Sequence, residues 1–237
     1  MTKGFFITGT DTNIGKTIAS CALLHTLSQQ GFKVAGMKPI ASGAELNSNI
    51  DSANPHSKRP EGILQNEDAL ALIEHSNVPL DYQQVNPYCF KPAIAPHLAA
   101  QQAKIEIAMP IIEQAYAELS KQVDWVIVEG VGGWRVPINP QQCVADIALQ
   151  LKLPVILVVG MKLGCINHAL LTIESIKAAG IPLKGWIANQ IDPEMQCYEQ
   201  TIKTLQNKMN TTYLGSLPYF NKGRFDPEQN NFTDLNL

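Results

Sequence analysis

Apolar residues in this chain fall into short dense runs, separated by stretches in which they recur every three or four positions. The dense runs are Gly4 to Thr8, Val34 to Met37, Trp125 to Glu129, Val155 to Val159, Leu183 to Ala188 and Tyr213 to Leu217. Runs of that length without apolar and polar alternation predict strands covered on both faces. Between them, Lys16 to Gln30 puts Ile18, Cys21, Ala22 and Leu24 at helical spacing and stops at Gly31, a residue suited to a helix end. Ile111 to Lys121 follows Pro110, which fits a first helical position. Asn167 to Ala179 ends at Gly180, and Glu194 to Met209 begins after an Asp-Pro turn. Strands alternating with helices predict one α/β domain over residues 1–237, with a mostly parallel central sheet flanked by helices and ligands at the carboxyl ends of its strands.

Two stretches break the alternation. Glu45 to Gln65 is rich in Asn, Ser, Pro and charge, and predicts a long mobile surface loop whose two ends adjoin candidate site residues. The tail from Asn221 onward is polar and predicts a surface-wrapping or frayed segment.

Composition narrows the function. In 237 residues, 45% are hydrophobic and 16% charged, ordinary for a soluble chain with one good core. A net charge of −3 and the lack of a long basic run give no reason to expect nucleic acid or a membrane as partner, so anionic substrates must be held by local groups. Cys21, Cys89, Cys143, Cys165 and Cys197 form no CxxC pair, which argues against a zinc site and against a secreted disulfide framework. No charged-then-apolar leader precedes the first strand and no apolar stretch reaches the ~18 residues of a membrane span, so a cytoplasmic location is expected.

The chemistry starts at GTDTNIGKT, Gly9 to Thr17, which follows the first apolar run and opens the first helix. Backbone N–H groups converging on a helix N-terminus cradle phosphate, Lys16 can reach the β- and γ-phosphates, and the Thr17 hydroxyl suits Mg²⁺. Gly9 and Gly15 stand one residue further apart than in the common phosphate-loop pattern, so the loop is longer at its entrance. The predicted fold is therefore a three-layer P-loop NTPase fold in a single domain. After the second strand, KPIASG (Lys38 to Gly43) brings a second lysine toward the same phosphate, with Ser42 close behind. In phosphoryl transfer the protein mainly positions reactants and neutralises charge, so two ammonium groups have an evident use. The strand Trp125 to Val128 delivers Glu129 and then the turn Gly130-Val131-Gly132-Gly133, a Walker-B-like arrangement in which the carboxylate can hold Mg²⁺. Asp68, near the start of a predicted helix, serves equally well as a first-turn dipole residue.

Further along, Gly164-Cys165-Ile166-Asn167 opens a helix whose free N–H groups could receive a carboxylate, with Asn167 as a plain N-cap in the simpler account. His168 reads as a packing or capping residue, and Cys165 has no assignable base that would make it a nucleophile. Asn189 ends a late strand and offers both a donor and an acceptor to a purine edge.

Taken in order, GTDTNIGKT, KPIASG, EDALAL, EGVGGW, VGMKLGCINHALL, WIAN and SLPY resemble the dethiobiotin synthetases over nearly the whole chain. The resemblance implies a homodimer of the nitrogenase-iron-protein-like phosphate-loop class, closing a cyclic urea on 7,8-diaminononanoate with CO2, ATP and Mg²⁺. By motif, it implies that Asn13, Ile14, Gly15, Lys16, Thr17 and Ile18 wrap the phosphates and that Thr17, Asp68 and Glu129 surround Mg²⁺. Lys38 matches the family's active-site lysine beside Lys16, and Ser42 its substrate-contacting serine. Gly130, Val131 and Gly132 fall at the turn near nucleotide and substrate, and Asn189, Gln190, Pro218, Tyr219 and Phe220 where the family holds adenine. Gly164, Cys165, Ile166 and Asn167 match the helix start that receives the substrate carboxylate from the partner subunit, with Tyr198 also in its reach.

The chain departs from the pattern in three places. The Ser42 to Asp68 stretch is longer than expected, Gln190 replaces a more usual acidic residue, and the tail beyond Phe220, with Glu228 as its candidate adenine contact, aligns poorly. Two rivals fit less well. An amidoligase of the cobyrinate type would bring a glutaminase domain or need ammonia. A partition or septum-positioning ATPase would carry a lysine where this chain has Asp11, and often a basic or amphipathic tail.

Overall fold

The computed structural model describes residues 3–46, 63–220 and 225. It opens with β1 (Lys3–Gly9), α1 (Lys16–Gln29) and β2 (Val34–Met37), followed by short elements: β3 (Ile40–Ser42), β4 (Glu45–Leu46), β5 (Leu64–Gln65), α2 (Glu67–Glu74), α3 (Tyr82–Val85), β6 (Tyr88–Phe90) and α4 (Pro96–Ala103). Regular alternation resumes with α5 (Met109–Ser120), β7 (Trp125–Glu129), α6 (Val144–Leu151), β8 (Val155–Met161), α7 (Cys165–Ala178), β9 (Leu183–Gln190), α8 (Tyr198–Met209) and β10 (Tyr213–Leu217).

All six predicted strands join one parallel sheet in the order β10-β9-β8-β1-β7-β2. The chain leaves β1 toward β2, fills the gap with β7, and then crosses to the other side of β1 for β8. The order therefore reverses at β1, and open α/β sheets bind ligands where that happens. Register aligns the strand ends. Ile7 stands opposite Glu129 and Met37 opposite Val128, so the loops after β1, β2 and β7 leave the sheet side by side.

Both faces of the sheet are covered. Phe5, Ile7 and Ile127 pack with Leu23, Leu24 and Leu27 of α1. Phe6, Val126 and Val128 face Ile112 and Leu119 of α5 and Ile147 of α6. On the far side, Leu157, Val159 and Trp186 pack with Ile173 of α7 and Leu205 of α8. Leu24→Ala would remove a fully buried side chain and cost about 2–5 kcal/mol.

Helix starts differ from the sequence expectation in three places. α5 starts at Met109, so Pro110 lies inside the first turn rather than opening it. α7 starts at Cys165 because Gly164 adopts φ 92 and becomes the N-cap, which removes Asn167 from that role. α8 starts at Tyr198 rather than Glu194. There the Asp192 side chain accepts the Glu194 N–H at 3.0 Å and Met195 N–H donates to Asp192 O, a turn that satisfies those groups without a helix. The ends of the Glu45 to Gln65 stretch pair antiparallel as β4 and β5, Glu45 opposite Gln65. The loop interior and nearly all of the tail, Glu228 included, lie outside the described residues. Phe225 is buried, with ring centroids 5.9 Å from His25, 5.6 Å from His75 and 6.0 Å from Phe220.

Candidate active site

The loop after β1 reaches α1 through two left-handed residues, Asn13 (φ 57) and Gly15 (φ 81), and no side chain caps the helix. First-turn N–H groups are thus left for a ligand. Ile14 tucks into the core beneath the loop, against Gly9 and Gly160, where an added Cβ would strike it. The Asn189 amide donates to Ile14 O at 2.8 Å and ties the loop to the end of β9. Lys16 folds back so that its Nζ donates to Asp11 O at 3.1 Å. Burial, reinforced by the nearby Lys38 charge, lowers its pKa from 10.5 to about 8.

Lys38 leaves the end of β2 and is only 3% exposed. Its ammonium donates to Glu129 Oε1 at 2.5 Å, Asp68 Oδ2 at 2.9 Å and Gly130 O at 3.3 Å. Thr17 Oγ1 donates to the same Glu129 oxygen at 2.8 Å. Desolvation would depress the Lys38 pKa, but Glu129 and then Asp68 outweigh it and hold the group above the usual lysine range. Lys38 in turn holds Asp68 below the usual carboxylate range, against the opposing pull of burial. Glu129 is fully buried, and its Oε2 has no hydrogen-bond partner. A buried, unpartnered carboxylate oxygen beside a threonine hydroxyl and the 43%-exposed Asp68 carboxylate is a hard-oxygen donor set. It fits Mg²⁺, which binds through one or two carboxylates together with substrate phosphates. No group of three or more His, Cys, Asp or Glu gathers among the described residues, so the protein would not cage a metal unaided.

These groups line a cavity of about 740 Å³. Its floor carries Asn13, Gly15, Lys16, Thr17 and Ile18. One wall is formed by Lys38, Ser42, Asp68, Glu129, Val131 and Gly132, and the other end by Asn189, Gln190, Tyr219 and Phe220. Ile14 and Gly130, backbone partners of Asn189 and Lys38, do not line it, nor does Pro218. The Ser42 hydroxyl and Asn189 Oδ1 are buried without partners.

Gly164, Cys165, Ile166, Asn167 and Tyr198 are absent from this wall. The Cys165 N–H donates to Lys162 O at 3.0 Å, so it is not among the free donors expected at that helix start. His168 is exposed on α7 rather than packed or capping. Burial pushes the Cys165 thiol pKa up, which suits no nucleophile. Tyr198 packs beneath α7, and burial, with Tyr213 nearby, raises its pKa to about 12.

Sequence reasoning missed the segment Ala93 to Pro96, which lines the cavity beside Ser42 and was marked only by its flanking prolines. It also missed Asn66, Tyr82 and Asn86, buried polar residues behind the Lys38 wall, for which the sequence carries no signal beyond the N-cap position of Asn66.

Sheet order, uncapped loop and acidic wall define a phosphate-loop nucleotide-binding protein of the three-layer α/β class. Solved structures agree on the fold. A ParA family ATPase from Chlorobium tepidum superposes with TM-score 0.56 at 12% identity, over 94% of this chain and 87% of that one. The septum site-determining protein MinD complexed with Mg-ADP from Pyrococcus horikoshii gives 0.54 at 16%, over 94% and 85%. The sequence profile of a family described as an AAA domain matches residues 3–223. The ATP-dependent dethiobiotin synthetase BioD of Nitrosospira multiformis is 46% identical over 219 residues, 92% of this chain and 89% of that protein. BioD 1 of Escherichia coli strain K12 is 44% identical over 219 residues, 92% of each chain. The chain belongs to the ATP-dependent dethiobiotin synthetase family.

Proposed function

We infer that this protein uses ATP to close a cyclic urea on 7,8-diaminononanoate with CO2, giving dethiobiotin, ADP and phosphate. The observation that carries the reading is Lys38, a second ammonium brought from β2 to the acidic wall of the phosphate cavity within 2.9 Å of Asp68 and 2.5 Å of Glu129. One amine attacks CO2 to give a carbamate, the carbamate oxygen takes the γ-phosphoryl group, and the second amine displaces phosphate to close the ring. Every intermediate is anionic, and no side-chain nucleophile is needed. Lys16 and the first-turn N–H groups of α1 hold the phosphates, while Lys38 stabilises charge on the carbamate and the transferring group. The unpartnered Ser42 hydroxyl is available to orient the diamine. Thr17, Asp68 and Glu129 would hold Mg²⁺, which supplies Lewis-acid neutralisation of phosphate oxygens when bound. Holding both amines beside the γ-phosphate makes the encounters unimolecular, which is where a preorganised site contributes most.

Asn189, Gln190, Tyr219 and Phe220 would take the base. In this reading the protein works in the cytoplasm as a homodimer, and the helix start at Gly164 to Asn167, less the engaged Cys165 N–H, receives with Tyr198 the carboxylate of diamine bound in the partner's cavity. The exposed Leu163 beside that helix start and the absence of Gly164 to Asn167 from this chain's own cavity lining support that arrangement. Among the described residues no helix is long and apolar enough to cross a membrane.

Phosphate release with Mg-ATP and bicarbonate, with and without the diamine, tests the reading when followed by mass analysis of the organic product. Diamine-dependent release with a cyclic urea product is expected. Release indifferent to diamine would overturn it.

A further inference from the structure

Behind the Lys38 wall, Asn66, Tyr82 and Asn86, none of which lines the cavity, join Lys38 and Asp68 in a hydrogen-bonded ring. The Asn66 N–H donates to Tyr82 Oη at 2.8 Å, and the Tyr82 hydroxyl donates to Asn86 Oδ1 at 2.8 Å. Asn86 Nδ2 donates to Lys38 O at 2.7 Å, while the Lys38 N–H donates to Val85 O at 2.8 Å. On the other side, Asn66 Oδ1 caps α2 by accepting from the N–H groups of Asp68 (3.1 Å) and Ala69 (3.4 Å). The Lys38 ammonium on Asp68 Oδ2 closes the ring. From Asn66 a branch leaves through Nδ2 to Ser42 O at 3.3 Å. Lys38 follows β2, Asp68 lies in α2 and Ser42 ends β3, and the ring with its branch ties all three.

Each link has one donor and one acceptor, so the ring has a single hydrogen-bonding sense. Burial, with the Cys89 thiol alongside at 3.4 Å, raises the Tyr82 pKa, and the hydroxyl stays protonated while the ring uses it in both directions. Asn66, Tyr82 and Asn86 are all buried, so water cannot replace a lost link cheaply. Residues that orient ligands from behind commonly set metal affinity as strongly as some of the ligands do.

We propose that Tyr82, Asn86 and Asn66 are positioning residues that fix the Asp68 carboxylate relative to Lys38, and thereby tune how the site takes a divalent cation with nucleotide. The proposal rests on the reading of Thr17, Asp68 and Glu129 as a Mg²⁺ seat. Tyr82→Phe keeps the ring's shape but orphans the Asn66 N–H and Asn86 Oδ1. Asn86→Ala cuts the link to the Lys38 backbone instead.

Calorimetry of ADP binding to the full chain across a Mg²⁺ series gives the readout. In both variants the Mg²⁺ concentration for half-maximal tightening of ADP is expected to rise about 10-fold. ADP affinity without Mg²⁺ should stay within about twofold, because Tyr82 and Asn86 do not line the nucleotide cavity. At saturating Mg²⁺, kcat should fall while KM for ATP stays put, since ground-state nucleotide binding is untouched. Cys89→Ser, which alters a neighbour of Tyr82 outside the ring, should leave the Mg²⁺ series unchanged and serves as the stability reference. Lower melting temperatures in Tyr82→Phe and Asn86→Ala with a wild-type Mg²⁺ series would overturn the positioning role and leave a purely structural network. A wild-type protein whose ADP binding ignores Mg²⁺ would overturn the metal seat itself, and this proposal with it.

Discussion

Helices α1 and α7 begin alike and come to rest in different surroundings. Each follows an interior strand, each takes a left-handed glycine as N-cap (Gly15 at φ 81, Gly164 at φ 92), and neither has a side-chain cap. At α1 the sheet order brings the ends of β2, β7 and β9 over the helix start, so Lys38, Glu129 and Asn189 roof it. A Cβ on Gly15 would collide with the Asn189 amide nitrogen, whereas a Cβ on Gly164 would meet open space. Beside Gly164, Leu163 is 96% exposed. The same local device, a glycine and an uncapped helix, becomes a closed phosphate cradle where neighbouring strands converge and an open edge where they do not.

The largest effect expected from disturbing that contrast is at the cradle's wall. Lys38→Ala should reduce turnover about 100- to 1000-fold, the scale for losing a group aimed at transition-state charge. Nucleotide affinity should change far less, and phosphate release compared with ADP calorimetry separates the two. Removing Lys38 also leaves the buried Glu129 uncompensated, so thermal unfolding should register a loss of about 3–5 kcal/mol. Unchanged turnover in this variant would sink the assignment of Lys38.

Next come the paired glycines. Gly15→Ala should weaken ADP binding by roughly 10-fold or more, about 1.4 kcal/mol per decade, because the loop and Asn189 must part. Gly164→Ala should cost about 1–2 kcal/mol of stability from the left-handed backbone alone and leave ADP affinity untouched. Equal effects on ADP binding would erase the distinction between the two helix starts.

A third test addresses the open edge. If a partner subunit covers it, Leu163→Glu should shift the protein toward monomer in sedimentation and raise KM for the diamine about 10-fold at unchanged ADP affinity, the cost of burying a charge in an apolar contact. A monomeric variant with full diamine affinity would show that the cavity needs nothing from a neighbour.

The smallest effect is a proton. With the folded pKa of Lys16 lowered from 10.5 to about 8, the unfolded chain binds more protons across that window. This residue's burial penalty is therefore fully present below about pH 8 and is relieved as pH rises toward 10.5, which by itself makes the empty protein more stable there. Phosphate beside Lys16 favours the charged form, so ADP binding above about pH 8 should take up a proton. Buffer-dependent binding enthalpies at pH 8.5 would reveal it, and enthalpies independent of the buffer would contradict it.

Much of this frame was legible in the chain. The six sheet strands declare themselves because a strand buried on both faces must be apolar throughout, and β2, β7 and β10 matched to the residue. The α1 start was legible because Gly-Lys-Thr follows directly on a strand. What escaped was short: α3, α4, α6 and the β3–β6 and β4–β5 pairs, none longer than eight residues; Tyr82 and Val85 of α3 bury against Ala69 of α2, and Ile40, Tyr88 and Phe90 join the cluster that holds Ile112 of α5, partners that so brief a span does not announce. The α7 start was misplaced because Asn167 is a good cap in sequence terms, and only the backbone reveals that Gly164 takes the role.

By itself, the sequence determined the order and type of the main elements, the phosphate loop and the identities of the charged groups, since periodicity and local spacing carry that information over a few turns of chain. The tertiary structure alone decided which of those groups meet. Lys38 and Asp68 lie 30 positions apart, Lys38 and Glu129 lie 91 apart, and Thr17 and Glu129 lie 112 apart. Their contacts depend on strand order and register, and those are set by how two faces of one sheet can be buried at once, a property of the packed whole that no window of sequence contains.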